Sequence, residues 1–436
     1  MNRAACLLLV LAACTSKEAA TPWAPGQTRP SAHAERRGLK DVRGIIHAHS
    51  IYSHDACDGE PEKDGVRDEA CLADLRRGVC QSGHDFVMLT DHSDAFAETE
   101  FPEVLLYRPE LGDRLHERRG RAVASTKRCD DRDVMLLAGT ETAVMAVGLE
   151  GHLEDRALYG RPEPDAIEKM HDQGAVVLLQ HTEDWTVEQL ATLPVDGFEM
   201  YNLHANTLNA AGNVLELLLR LERGDTDLMH PDLAFLALVN EDDRYLSRWS
   251  QTLAQGVRRT TTMGTDCHRN TFQAELADGE RVDSYRRMMI WFSNHLLVDG
   301  DDDLALKRAL ANGRLYGAFE AFGYPVGFDY FAPGAEMGDE VPLASAKLEV
   351  RAPTLQDLDA DVTPPEITTR LLRATADGWA EVASGAGDLS FTPSEPGAYR
   401  AEVRIVPRHL ADALASYRSL AAESYVWIYA NPIYVR

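Results

Sequence analysis

The residues best suited to chemistry are histidines and acids that follow short apolar runs. Gly44-Ile45-Ile46 leads into His47-Ala48-His49, and residues 86–90 lead into Asp91-His92. Residues 134–138 precede Gly139-Thr140-Glu141, and residues 176–180 precede His181. Gly197-Phe198 leads to Glu199, and residues 260–265 lead into Asp266-Cys267-His268. Imidazole and carboxylate without thiolate accept Zn, Mn or Fe and do not favour a purely Ca or Mg site. Closely spaced ions of that kind lower the pKa of a bridging water and clamp attacking and leaving oxygens. The chemistry that fits is hydrolysis, with hydroxide attacking phosphorus in line or a carbonyl carbon. His204 follows Glu199-Met200-Tyr201-Asn202 and is a candidate to protonate the leaving group.

Such residues work together only if the chain brings them to one place. On a strand, the period of two sends His47 and His49 out of one face. The continuous apolar runs read as buried parallel strands, and helical stretches at 69–77, 165–173 and 214–222 separate them. Alternating β and α indicates a parallel sheet, open or closed into a barrel. In both, function gathers at the carboxyl ends of the strands, where these residues fall. Insertions at about 93–133, with Arg114, Arg118, Arg119 and Arg121, and at about 205–258 are candidates to wall the pocket. Arg161 and Arg269 are candidates to meet an anionic substrate. After Ala332-Pro333-Gly334 the texture changes to alternating stretches around 347–351, 400–404 and 425–429. These predict an antiparallel β-sandwich with one wet face at 336–436, preceded by a catalytic domain at 41–335.

The N-terminus has a basic Arg3 and an apolar stretch at 6–13, too short to span a membrane, and reads as a signal peptide over 1–13. Leu11-Ala12-Ala13-Cys14 resembles a bacterial lipobox. Lipid on Cys14 would anchor the protein to a membrane of the cell envelope, and Thr15 favours the outer membrane. Residues 14–40 read as a flexible tether. A formal net charge of -26 over 436 residues argues against nucleic acid as a partner. Of the cysteines, Cys57, Cys71, Cys80 and Cys129 allow two bridges in three pairings, and Cys267 is left unpaired. GxSxG, HExxH and P-loop signatures are absent.

Taken in order, His47-Ala48-His49, Thr90-Asp91-His92, Gly139-Thr140-Glu141, His181 and Gly264-Thr265-Asp266-Cys267-His268 resemble the PHP superfamily, named after polymerase and histidinol phosphatase. The likeness covers about residues 41–330 and is greatest to stand-alone phosphoesterases and carbamate-ester hydrolases. It implies a distorted (β/α)7 barrel holding two or three divalent ions. The implied ligands are His47, His49, His92, Glu141, His152 (eleven positions beyond Glu141), His181, Asp266 and His268. Asp91 is implied to orient His92. In the loop Ser50-Ile51-Tyr52-Ser53-His54-Asp55, His54 holds the place of a family Asp and Asp55 follows it, so either could complete the site. The expected function is a metal-dependent hydrolase of a small ester substrate, a phosphoesterase first. A carbamate or carboxylic ester hydrolase, or a non-catalytic surface lipoprotein, are the alternatives.

Overall fold

The structure, a computed structural model, describes residues 34–436 apart from 131, 210, 211, 213–215, 217, 218, 221–224, 226, 237 and 238. The expected signal peptide, Cys14 and most of the tether lie outside the described residues, as does much of the helix expected at 214–222.

Among the described residues the chain is a mixed α/β protein with one 20-stranded sheet and three small sheets. Its organising strand is β1 (Leu39–Ala48), buried from Asp41 onward. Val42 and Ile46 pack into one core and Ile45 into the other, beside buried Asp41, Arg43 and His47, so the strand is covered on both sides. β1 pairs in parallel with β2 (Phe86–Met88). A short strand β3 (Asp91–His92) follows on the same course. β2 pairs in parallel with β4 (Asp133–Leu137), and β3 with β5 (Gly139–Glu141). β5 then turns back into β6 (Met145–Val147), antiparallel to it and to the next strand, β7 (Val176–Leu179). Parallel pairing resumes from β7 to β8 (Gly197–Asn202), from β8 to β9 (Thr260–Cys267), and from β9 back to β1. The reversed β6 departs from the expected βα alternation. Only residues 142–144 join β5 to β6, and a parallel connection needs a crossover of a dozen or more residues.

Two helices form where the pattern predicts them, and a third is one the pattern did not single out. Helix α1 (Glu69–Gln81) starts at Asp68, whose carboxylate accepts from the Cys71 amide, and buries Leu72, Leu75 and Val79. Helix α2 (Pro164–Asp172) begins on a proline at its first turn. Helix α3 (Asp243–Ala254), inside the second insertion, is capped by Asp242 and buries Tyr245, Trp249 and Leu253 at helical spacing. Two disulfides are present, Cys57–Cys71 and Cys80–Cys129, and Cys267 is free and buried.

The amino-terminal half of β1 also pairs antiparallel with β10 (Ser293–Val298), which pairs with β11 (Leu315–Ala318). The C-terminal strands continue from there. β12 (Glu366–Thr375) lies between β13 (Gly378–Gly385) and β14 (Gly397–Val406), all antiparallel. β15 (Tyr425–Ala430) joins β14 to β11. β15 is buried at every position, where alternation was expected, because its neighbours and Trp249 of α3 leave it no wet face.

The arginines of the first insertion do not face a common pocket. Arg114 pairs with Asp133, while Arg118 pairs with Glu150 and Asp303. Residues 114–118 and 121–128 form a hairpin that extends the sheet beside β4.

Candidate metal centre

The carboxyl ends of β1, β3, β5 and β9, with the loop after β7, meet around Asp266. His47 Nε2 lies 2.5 Å from Glu141 Oε2 and 3.2 Å from Asp266 Oδ1. His49 Nε2 lies 3.3 Å from Asp266 Oδ1 and 3.4 Å from Glu141 Oε1. His268 Nε2 is 2.9 Å from Asp266 Oδ1. On the other oxygen, His181 Nε2 stands at 3.4 Å and His204 Nδ1 at 3.2 Å. Asp55 Oδ2 lies between His92 Nε2 at 3.2 Å and His268 Nε2 at 3.3 Å. These atoms fall into overlapping groups: His47, His49, Glu141 and Asp266; His49, Asp55, His92 and His268; His204, Asp266 and His268.

The backbone bends to deliver them. His47, His181 and Asp266 have φ of 74°, 47° and 54°. Left-handed backbone at non-glycine residues costs on the order of 1–3 kcal/mol each and gathers at functional sites. His47, near the end of β1, and His49, one residue past it, therefore do not stand on a regular strand, yet both Nε2 atoms reach the same carboxylate oxygen. Gly264 is needed beside them. A Cβ there would fall 1.9 Å from Glu199 Oε1 and 3.1 Å from His47 Nδ1.

The donor set fits a cation. His47 Nε2, His49 Nε2, Glu141 Oε2 and Asp266 Oδ1 are buried and make no hydrogen bond. A buried polar atom left unpaired costs about 1–3 kcal/mol, so four converging ones require a partner. Electrostatics agree. Burial works against the imidazolium of His47, but Glu141, Glu199 and Asp266 outweigh it and hold its pKa well above the usual range. Against the same opposing burial, Asp266 and Glu141 push His49 up to about 10. His181 is raised to about 9, with burial opposing and Glu183 and Asp266 raising it. Asp266 is held far below a normal carboxylate, with burial opposed by His47 and His268. The pocket is a strong negative field that asks for positive charge.

Several expected residues stand elsewhere. His152 is not in the cluster. Its Nε2 lies 2.8 Å from the Thr99 carbonyl oxygen and its Nδ1 3.3 Å from the Tyr159 hydroxyl, among Phe96 and Phe101. Both ring nitrogens are occupied, and the backbone between Glu141 and His152 takes positive φ at Gly148 (75°) and Gly151 (150°). Asp91 does not orient His92. Its oxygens accept from the Ser50 amide at 2.5 Å and the Ser50 hydroxyl at 2.7 Å, fixing the loop after His49. Of the two loop candidates, Asp55 enters the cluster. His54 is exposed, 2.9 Å from Asp94 Oδ1, and stacks on His92 with ring centres 4.8 Å apart.

Two contributors were not assigned from sequence. Glu199, buried, sets its Oε1 2.6 Å from His47 Nδ1, and its Oε2 accepts from the His181 amide at 3.2 Å. It orients His47 as a carboxylate orients a metal-bound histidine. The signal was that it follows the run Gly197-Phe198; in the structure it lies inside β8, where the pairing with β9 shifts register. Ser53 lies 3.0 Å from His49 Nδ1, donates to Asp55 Oδ1 at 2.8 Å and accepts from the His92 amide at 3.2 Å. No pattern in the sequence singles it out.

The class this site defines is a buried histidine–carboxylate centre suited to divalent cations. The chain matches no protein-family model and no curated protein. Among solved structures it is similar to a two-domain protein from Bacteroides vulgatus that contains a predicted PHP-like metal-dependent phosphoesterase. Identity is 13% over 92% of this chain and 99% of that one, with a TM-score of 0.31. A likeness at that score carries no argument, and the site's own geometry bears the weight.

Proposed function

We propose that the protein is a metal-dependent hydrolase, a phosphoesterase of PHP type, acting on a small ester substrate. One observation carries this reading: four buried donor atoms, from His47, His49, Glu141 and Asp266, converge without hydrogen-bond partners. Two or three divalent ions (Mn, Zn or Fe) fit the overlapping groups. The return of the pairings to β1 supports a distorted (β/α)7 barrel, and the antiparallel C-terminal strands support a β-domain at 336–436 after a catalytic domain at 41–335.

Bound cations supply an activated water and neutralise charge on the reacting group. The rest is the work of side chains. Glu199 and Ser53 fix the rings of His47 and His49, and Asp91 fixes the loop that carries Asp55. Asp266 Oδ2 holds His204 through Nδ1, which leaves Nε2 to give a proton to the leaving oxygen. The ester bond breaks, hydroxide is added to phosphorus or carbon, and the leaving oxygen takes up a proton.

A second reading, hydrolysis of carbamate or carboxylic esters, is favoured by a specific observation. Arg269 pairs with Asp74, and Arg161 with Glu163 and Asp165. Every described lysine stands beside a carboxylate elsewhere on the molecule. Among the described residues, neither these two arginines nor any lysine is left to meet a highly charged phosphate, which favours a less charged ester. We further propose a lipid anchor at Cys14 and an envelope location. The two disulfides support an oxidising compartment.

Elemental analysis of purified protein, then a hydrolysis screen over phosphomonoesters, phosphodiesters and carbamate esters, tests the proposal. His49→Ala should fold while losing metal and turnover together. A metal-free wild-type chain, or full turnover in that variant, would sink it.

A further inference from the structure

Helix α3 touches the metal centre at one end and the C-terminal sheet at the other. Tyr245, in its first turn and buried, donates its hydroxyl to the Glu183 carboxylate. Glu183 Oε1 in turn lies 3.5 Å from His181 Nδ1, on the side of the ring away from Asp266. One turn further along, Arg248 Nε donates to the Trp185 carbonyl oxygen at 2.8 Å. The turn after His181 is thus pinned to α3 at two points, and His181 carries strained backbone that needs such support.

The other attachment is equally specific. Ser250 donates through Oγ to the Thr375 carbonyl oxygen at 2.9 Å and accepts from the Thr375 amide at 3.0 Å. Trp249 meets Trp379 edge to face with ring centres 4.9 Å apart. The Arg400 guanidinium lies 4.8, 4.5 and 5.2 Å from the ring centres of Trp249, Trp379 and Tyr429. A buried cation held by three aromatic faces and by Glu402 is a rigid mount. The residues at 245, 249 and 253 share one buried stripe of the helix, so a shift at Trp249 moves Tyr245 with it.

We infer that the C-terminal sheet is part of the metal centre's framework: through α3 it places Tyr245, which holds Glu183, which aims His181 at the cation site. Tyr245 and Glu183 are positioning residues. This assigns residues 366–430 a task beyond packing. The inference rests on the proposed metal centre and goes beyond it, since neither the sheet nor Tyr245 touches the cations.

The test is titration of the metal-stripped full chain with Mn2+ and with Zn2+, reading ions bound per chain and the dissociation constant of each. Tyr245→Phe keeps the ring and removes only the hydroxyl. It should weaken one ion by about 10–100-fold and leave the others unchanged. The metal-free variant should fold with a thermal midpoint only modestly below the wild-type value, and the affinity loss should fall on one ion alone, which a merely structural defect would not produce. Trp379→Leu, at a half-buried ring on the far side of α3, should weaken the same ion. Glu183→Gln is the second variant should Tyr245→Phe fail to fold. Unchanged dissociation constants in Tyr245→Phe or Glu183→Gln overturn the inference, as does an unchanged constant in Trp379→Leu, while wild-type binding leaves the metal centre standing. A wild-type chain that binds no divalent ion overturns the centre itself and the inference with it.

Discussion

Glu199 grips His47 through Nδ1 while Nε2 faces the carboxylates, so its charge can be removed without removing a ligand. Glu199→Gln should keep the fold, by circular dichroism, and lose about 10–100-fold in metal affinity. Unchanged affinity would mean that Gly264 and the strand alone orient the ring. His152 offers the opposite case. His152→Ala should keep its metal and turnover but unfold about 1–3 kcal/mol more easily, because the Thr99 carbonyl oxygen loses its donor. Metal loss in that variant would return His152 to the ligand set. The contrast explains what single residues reveal. His47, His49, His92, Glu141, Asp266 and His268 were legible because each lies at or just past the end of a strand, and neighbouring parallel strands end side by side. His152 was implied only by the family resemblance, and its ring instead meets the Thr99 carbonyl oxygen and the Tyr159 hydroxyl. The choice between His54 and Asp55 depends on hydrogen bonds from Ser53, which no spacing rule contains.

Among the elements, the loop from Ser50 to Asp58 carries Asp55 and is stitched down twice. Cys57 and Asp58 donate their amides to the His268 and Arg269 carbonyl oxygens at 3.0 and 3.1 Å, and the Cys57–Cys71 bridge ties the loop to α1. Replacing both cysteines by serine should cost ~3 kcal/mol in urea unfolding, from the freed loop of the denatured chain. It should also weaken the ion that Asp55, His92 and His268 would hold. Stability and affinity both at wild-type levels would show that the backbone contacts suffice. The parallel strands β1, β2, β4, β7 and β9 were legible from apolar runs of the right length, and α1 and α2 from the stretches between them, whereas β10 to β13 were not. The reversed β6 was not, since a run of three residues, Met145–Val147, states no direction. Its course follows from the shortness of the connection before it.

Across the whole molecule, stability should depend on acid through His84. This ring is fully buried, with Nε2 at 2.6 Å from the Met289 carbonyl oxygen. Burial, with help from Arg43, pushes its pKa down to about 3 from 6.5. The folded chain keeps His84 neutral, whereas the unfolded chain takes up a proton once the pH falls below 6.5. Stability from this residue is therefore complete above pH 6.5 and is lost progressively toward pH 3, by up to ~5 kcal/mol. Urea midpoints at pH 7 and pH 4 should differ less in His84→Gln than in the wild type. Equal differences would assign acid sensitivity to other groups.

The way β1 is shared between β9 and β10 also sets an order of events in time. His47 leaves the ribosome well before Asp266 exists, and the edge of β11 stays bare until residues 425–430 arrive. Distant pairings of this kind fold slowly, because loop closure must precede any gain from contact. A growing chain has its histidines early, but the proposed cation site cannot be complete before Asp266 and His268 have been made.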